Sequence, residues 1–334
     1  MPVSIPLGSL FVVLLASMVG AVTIGPAAIA PQDVWLAVSH HLGLTDSGSI
    51  TPLNDAIVWE LRLPRIIAAA AVGAGLSLCG AVIQALTRNP LADPYLLGLS
   101  SGAALGAVAF ALLGGALFMS VGAFLGAAAT LVLALSIARL LGAITPTRAV
   151  LAGLAISALA SALTSMLIFW SATGDSYREI LSWLMGSLAG ATWPEAVTAL
   201  AASLVLGAPI LLGARALNGF AFGELSAAAL GIDVAATRWL LLGATAVLTG
   251  VLVSISGAIG FVGLVLPHVA RLAFGARHQR MLPAAALGGA IFMVWADTAA
   301  RSMFSPREIP VGIITALLGT PVFLFVLIRF RNVT

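Results

Sequence analysis

RLPRIIAAAAVGAGLSLCGAVIQALTRNPLADPYLLGLSS, residues Arg62 to Ser101, decides the fold. Between Arg65 and Arg88 run 22 residues without a charge. As a helix rising about 1.5 Å per residue they cover roughly 33 Å, enough for a hydrocarbon core of about 30 Å. The two ends of this crossing are chemically unlike. An arginine pair flanks Pro64 at one, and the proline-broken turn Asn89-Pro90-Leu91-Ala92-Asp93-Pro94 stands at the other. Such a segment reads as part of a device working across the bilayer rather than as an anchor.

The rest of the chain extends that reading. It is 61% hydrophobic and 8% charged over 334 residues, whereas a soluble domain is nearer 25% charged. The fold class is therefore all-α, a polytopic membrane protein forming a single permease domain over 1–334 with no room for a soluble domain. All fifteen basic residues are arginines, so no Walker A phosphate loop, which needs a lysine, is present. If ATP drives the protein, another polypeptide hydrolyses it. The apolar N-terminal run to about Ala30 lacks an A-x-A-like cleavage site and reads as a retained first span. The one cysteine, Cys79, lies mid-span and cannot form an intrachain disulfide.

Hydropathy predicts ten spans, at 8–30, 64–87, 94–113, 118–141, 147–170, 193–214, 238–256, 259–275, 283–301 and 309–329. The seventh and eighth are separated only by the Gly257–Gly260 region. With both termini inside, ten arginines and three acidic residues face the cytoplasm, while five arginines and eight acidic residues face outward. The opposite orientation would reverse the positive-inside bias.

Three segments do not span. Residues 31–60 form an outer loop with Trp35 and Trp59 as interfacial anchors. Residues 171–193 repeat Ile180, Trp183, Leu184 and Leu188 at helical spacing, as in a short helix lying on the membrane surface. The inner loop 215–238 is rich in helix formers between glycines. There is also an internal echo. Ser77–Ile83 (SLCGAVI) is answered by Ser254–Gly260 (SISGAIG), in spans of opposite direction, which predicts an inverted repeat.

Intramembrane charge is nearly absent. Only Asp297 is deep, and with Arg301 four residues on it reads as a structural pair rather than a proton relay. An ion-coupled secondary transporter is thus the weaker alternative. His40, His41, His268 and His278 show no metal-ligand spacing, and no nucleophile–base arrangement points to an intramembrane hydrolase. No cofactor, no metal and no nucleic-acid partner is expected. Glycines four apart, such as Gly98, Gly102 and Gly106, read as close helix packing.

At LRLPR (61–65), QALTRNPLADPYLLGLSSGA (84–103), REILSWLMGSLAGATW (178–193) and GAIGFVGLVLPHVAR (257–271) the chain resembles the FecCD-type family of ABC-importer permeases. LPAAALGG (282–289), ADTAAR (296–301) and EIPVGIITALLGTPVF (308–323) continue the resemblance in order. It implies import of a ferric siderophore, haem or cobalamin across a bacterial inner membrane by a homodimer of the chain. The implied partners are two cytoplasmic ABC ATPase subunits, a periplasmic substrate-binding protein and membrane lipid. It further implies that Arg62, Arg65 and Arg301 dock the binding protein. Asn89 and Leu91 would form the cytoplasmic gate with Pro146 and Thr147, where the proline departs from the hydroxyl residues of the vitamin B12 permeases. Glu224, Leu230, Gly231 and Ile232 would lie in the segment that couples to the ATPase.

Overall fold

A computed structural model describes residues 6–44, 50–114, 118–140, 142, 146–171 and 174–330. Asp46, Arg331 and the side chains of Pro146, Thr147, Asp175, Glu179 and Arg329 lie outside the described residues. Among the described residues every regular element is helical.

In chain order these are α1 (Leu7–Thr23), α2 (Pro31–His41), α3 (Pro52–Ala56), α4 (Leu63–Thr87) and α5 (Leu99–Gly114). They continue as α6 (Met119–Leu140), α7 (Pro146–Ser171), α8 (Gly174–Leu184), α9 (Trp193–Leu212) and α10 (Ala214–Ala221). The last are α11 (Glu224–Ala229), α12 (Val234–Ser256), α13 (Val262–Phe274), α14 (His278–Ser302) and α15 (Val311–Phe330). Each of the ten predicted spans overlaps one helix, though the first helix stops at Thr23, short of Ala30, and the third begins at Leu99. Six helical stretches are long and apolar enough to cross a membrane; Leu7–Thr23, Leu99–Leu113, Val262–Phe274 and Val311–Phe325 are shorter apolar helices.

The opening stretch becomes the central helix. A π-helical turn, Ile57–Arg62, joins α3 to α4, so helix runs without a break from Pro52 to Thr87. Of its most apolar window 89% is buried inside the protein, against 22% for the window in α7, so α4 is the bundle's core and α7 its rim. Small residues permit this. A β-carbon on Gly73 would stand 2.1 Å from the Gly289 carbonyl of α14, and one on Gly80 only 1.8 Å from the Gly263 carbonyl of α13. Helices in lipid, with no water to drive them together, gain their contact by such backbone approach. The same device joins α5 to α6, where Gly102 and Gly106 meet Gly126 and Gly122.

Several expectations are corrected. The described parts of residues 31–60 are largely helical, and Trp59 is stacked on His41 with ring centroids 4.1 Å apart; Trp35 is exposed. α8 does not lie on lipid by its apolar stripe, because Ile180 and, just beyond the helix, Leu188 are fully buried in the protein. The echo is not one local structure. Ser77–Ile83 is continuous helix inside α4, whereas Gly257 ends α12 at φ 65° and opens the break before α13. Sequence likeness over seven small residues did not carry the backbone with it.

Candidate functional site

At the arginine end, four segments meet. Arg65 donates from Nε to both carboxylate oxygens of Asp297, at 3.0 and 2.9 Å, and from Nη1 to Glu308 at 2.7 Å. Asp297 is 1% exposed, so a buried carboxylate is matched by a guanidinium whose single Nε–H is shared between both oxygens. Its partner is Arg65 across the bundle, not the Arg301 four residues on. Arg301 instead reaches the Ala21 carbonyl, and Arg62 reaches those of Val22, at 2.5 Å, and Ala27. Ala21 and Val22 are in the last turn of α1, whose carbonyls lack intrahelical partners and carry the negative end of the helix dipole. Two arginines therefore cap α1. All three arginines expected at a docking surface are brought to one end of the molecule, yet each is buried: Arg62 5%, Arg65 7% and Arg301 4% exposed. Glu308, exposed beside Arg65, is a member of this cluster that sequence reasoning missed. Its only signal was an acid just before the last span.

At the other end, α4 stops because Arg88 turns into the left-handed region at φ 50°, letting the Asn89 N–H return to the Gln84 carbonyl at 3.1 Å. The Asn89 side chain then accepts from the Leu91 N–H at 2.9 Å and holds the turn. Leu91 is exposed, and with Pro90 it faces Leu264, Val265 and His268 of α13 and Phe323 of α15 across a narrow cleft. Asp93 accepts from the Tyr95 N–H at 2.8 Å, and burial pushes its carboxyl up to about 6. The Tyr95 hydroxyl donates to the Ile259 carbonyl at 3.1 Å and accepts from its N–H at 3.2 Å. The turn after α4 is thereby clamped to the break between α12 and α13, the two irregular stretches satisfying each other's polar groups. Gln84 adds a bond from Nε2 to the Leu264 carbonyl at 3.1 Å. Of the expected gate, Asn89 and Leu91 sit in this turn; Pro146 and Thr147 begin α7, with their side chains outside the described residues.

Beside that turn lies the inner loop. It folds into α10 and α11, then turns at Leu230-Gly231 into α12. Phe222 is 80%, Leu225 89% and Leu230 71% exposed, an apolar face left uncovered by the chain itself. Gly231 has φ +79° with open space around it, while Ile232 packs its side chain over Gly219 of α10. Glu224 pairs with Arg238 of α12, and that hydrogen bond, with the Arg88 charge adding to it, holds its carboxyl below the usual range. Arg88 also approaches Gly223, within 3.6 Å of where a β-carbon would stand. From the other side, Asn218 of α10 bonds the His278 ring at 2.8 Å and Gln279 at 2.7 Å. The loop is thus tied by side chains to α12 and α14, and its Gly223 lies beside Arg88, the residue that ends α4.

One buried helix joining a charged cluster to a polar turn and an exposed apolar loop belongs to a multi-helix membrane transport protein, since an anchor needs none of these. The chain belongs to the FecCD transport family, which it matches over residues 10–329. It is 39% identical to the cobalamin import system permease protein of Halobacterium salinarum, over 96% of this chain and 95% of that one. It is also 39% identical to the hemin transport system permease protein of Yersinia pestis, over 98% of this chain and 96% of that one. Among solved structures, an inward-facing ABC transporter described as of metal-chelate type superposes with a TM-score of 0.83 at 34% identity, covering 97% of this chain and 98% of that one.

Proposed function

We propose that the chain is the permease subunit of a binding-protein-dependent ABC importer that moves a large metal chelate, a ferric siderophore, haem or cobalamin, into the cytoplasm. The observation that carries this is the near-complete, equal match to permeases for cobalamin and for hemin. Both are bulky chelates, and the match does not choose between them. In this reading ten helices cross a bacterial inner membrane with both termini in the cytoplasm, and two copies form the pathway. Two separate ATPase subunits engage Leu225, Leu230 and Gly231 from below. Closing of the ATPases would push the tied loop, and the turn at Asn89 and Leu91 would open or shut the inner mouth. The inverted repeat is left out of this reading, because the echo that suggested it has two different backbones.

The binding protein would seat at the arginine end. Since the three guanidiniums are buried, docking by Arg65 requires an incoming carboxylate to displace Glu308, its exposed partner. Glu308→Gln is then expected to tighten docking several-fold, read by surface binding of the partner protein; weaker or unchanged docking would remove Arg65 from that surface. The function as a whole is tested in proteoliposomes holding the permease, its ATPase and its binding protein. ATP-dependent uptake of one of the three chelates is expected. Uptake without the ATPase, driven by a proton gradient, would establish the ion-coupled alternative instead.

A further inference from the structure

A second polar site lies away from both ends of α4. α6 and α12 touch toward the N-terminal half of α6 and the C-terminal half of α12, where Ala127 and Phe124 stand 3.8 Å from the position of a Gly250 β-carbon. Toward the inner side a cleft of about 740 Å³ opens between them, lined by Val132, Leu135, Arg139, Arg238, Trp239 and Leu242 among others. The lining is graded. Arg139 and Arg238 stand at the mouth, while Val132 is about 10 Å deeper along α6 and Leu242 about 6 Å deeper along α12, by helical rise. Val132 is 62% and Trp239 46% exposed, so the apolar wall and the indole face outward from the bundle. Arg238 gives one bond to Glu224, but its Nε is buried and, among the described residues, has no hydrogen-bond partner. Arg238 also lines the cleft, so an anion entering it meets the guanidinium's charge.

We propose that this cleft binds an anionic phospholipid of the cytoplasmic leaflet. Its phosphodiester sits between Arg139 and Arg238, Trp239 lies at headgroup level, and an acyl chain runs along Val132, Leu135 and Leu242. Three features select that occupant over a soluble anion or a protein helix. The positive charge is at the mouth only, the deep wall is apolar, and the indole marks the polar–apolar boundary that lipids share. A basic pocket between helices on the cytoplasmic side is the arrangement that recognises anionic headgroups. Because Arg238 also holds Glu224, the lipid phosphate and the coupling loop share one guanidinium, which places lipid composition in contact with the coupling element.

The leaflet assignment rests on the orientation proposed above; the binding itself does not, and it is read without transport. Native mass spectrometry of the purified chain is offered phosphatidylglycerol, phosphatidylcholine or inorganic phosphate. Phosphatidylglycerol is expected to be retained at least about fivefold better than phosphatidylcholine, since each arginine near an anionic surface contributes about that factor. Millimolar inorganic phosphate is expected not to displace it. Arg139→Glu, at an exposed side chain, should abolish the preference with the melting temperature unchanged. Arg139→Gln/Arg238→Gln should abolish it too, at some loss of stability because the Glu224 pair goes with Arg238. Equal retention of the two lipids, a preference that survives Arg139→Glu, or displacement by inorganic phosphate would each overturn the proposal.

Discussion

Arg65 and Asp297 are separated by 232 positions in the chain and joined in space by an Nε–H shared between both carboxylate oxygens. Removing the cation alone leaves a carboxylate buried and unpaired, which costs about 3–5 kcal/mol in such settings. Arg65→Met is therefore expected to lower the melting temperature in detergent sharply, and Arg65→Met/Asp297→Asn to recover most of the loss. If the double variant melts no higher than the single, the pair is not what Arg65 stabilises. Asp93 gives a second prediction, with a sign set by its raised pKa. Between about pH 4 and pH 6 the folded chain keeps a proton that the unfolded chain releases, so stability falls as pH rises through that window. Asp93→Asn retains the acceptor for the Tyr95 N–H and should flatten the melting-temperature profile from pH 4 to 7. A wild-type profile as flat as that of the variant would contradict it. Which charges meet was not legible in the sequence. Arg301 at i+4 offered Asp297 a local partner, but the helix C-terminus of α1 competes for that guanidinium through the Ala21 carbonyl. A contact of that kind depends on how helices pack, and hydropathy carries no trace of it.

Elements were far more legible. An apolar run long enough to cross lipid has few options other than helix, because every backbone polar group must be satisfied within the segment. That constraint is local, which is why all ten predicted spans fall on helices and the break at Gly257–Gly260 lies between α12 and α13. Where the constraint relaxes, legibility fades: α2 and the extension of α4 back to Pro52 were read as loop. Packing between elements yields two predictions. Gly80→Val places a branched side chain where the α13 backbone already stands, and overpacking of this kind costs about 1–3 kcal/mol or more. The variant should melt well below wild type, whereas Gly243→Val, with open space at the same atom, should not. Equal melting of the two would mean that α4 and α13 are not in backbone contact. Leu230→Asp changes an exposed residue that supports nothing within the chain, so its fold should be unaffected to within about 0.5 kcal/mol. Co-purification of the ATPase should fall at least tenfold, and undiminished co-purification would take Leu230 out of the coupling surface.

At the scale of the whole molecule, the short helices raise a question of length. α13 has 13 residues, about 20 Å, less than a hydrocarbon core of about 30 Å. It completes a crossing only if the non-helical residues 257–261 lie at membrane depth. Irregular backbone survives there only when protein lines it. That condition is met: Ile259 is 1% exposed and both its backbone polar groups bond the Tyr95 hydroxyl, while Gly257 packs against the Trp183 carbonyl in the last turn of α8. The buried α8 stripe and the turn after α4 thus supply the lining that a short helix such as α13 would need in order to span. In the orientation proposed from the arginine bias, the two ends lie on opposite sides of the membrane. In a Cys79→Ala background, cysteines replacing Leu44 or Arg307 should react with a membrane-impermeant maleimide in intact cells. Cysteines replacing Leu225 or Leu230 should react only after permeabilisation. All four positions are exposed, so reactivity reports the side of the membrane rather than burial. The reverse pattern would invert the molecule. Labelling of all four from one side would mean that the crossing number between Leu44 and Leu225 is even, and α13 would then no longer be needed to bring the chain back out.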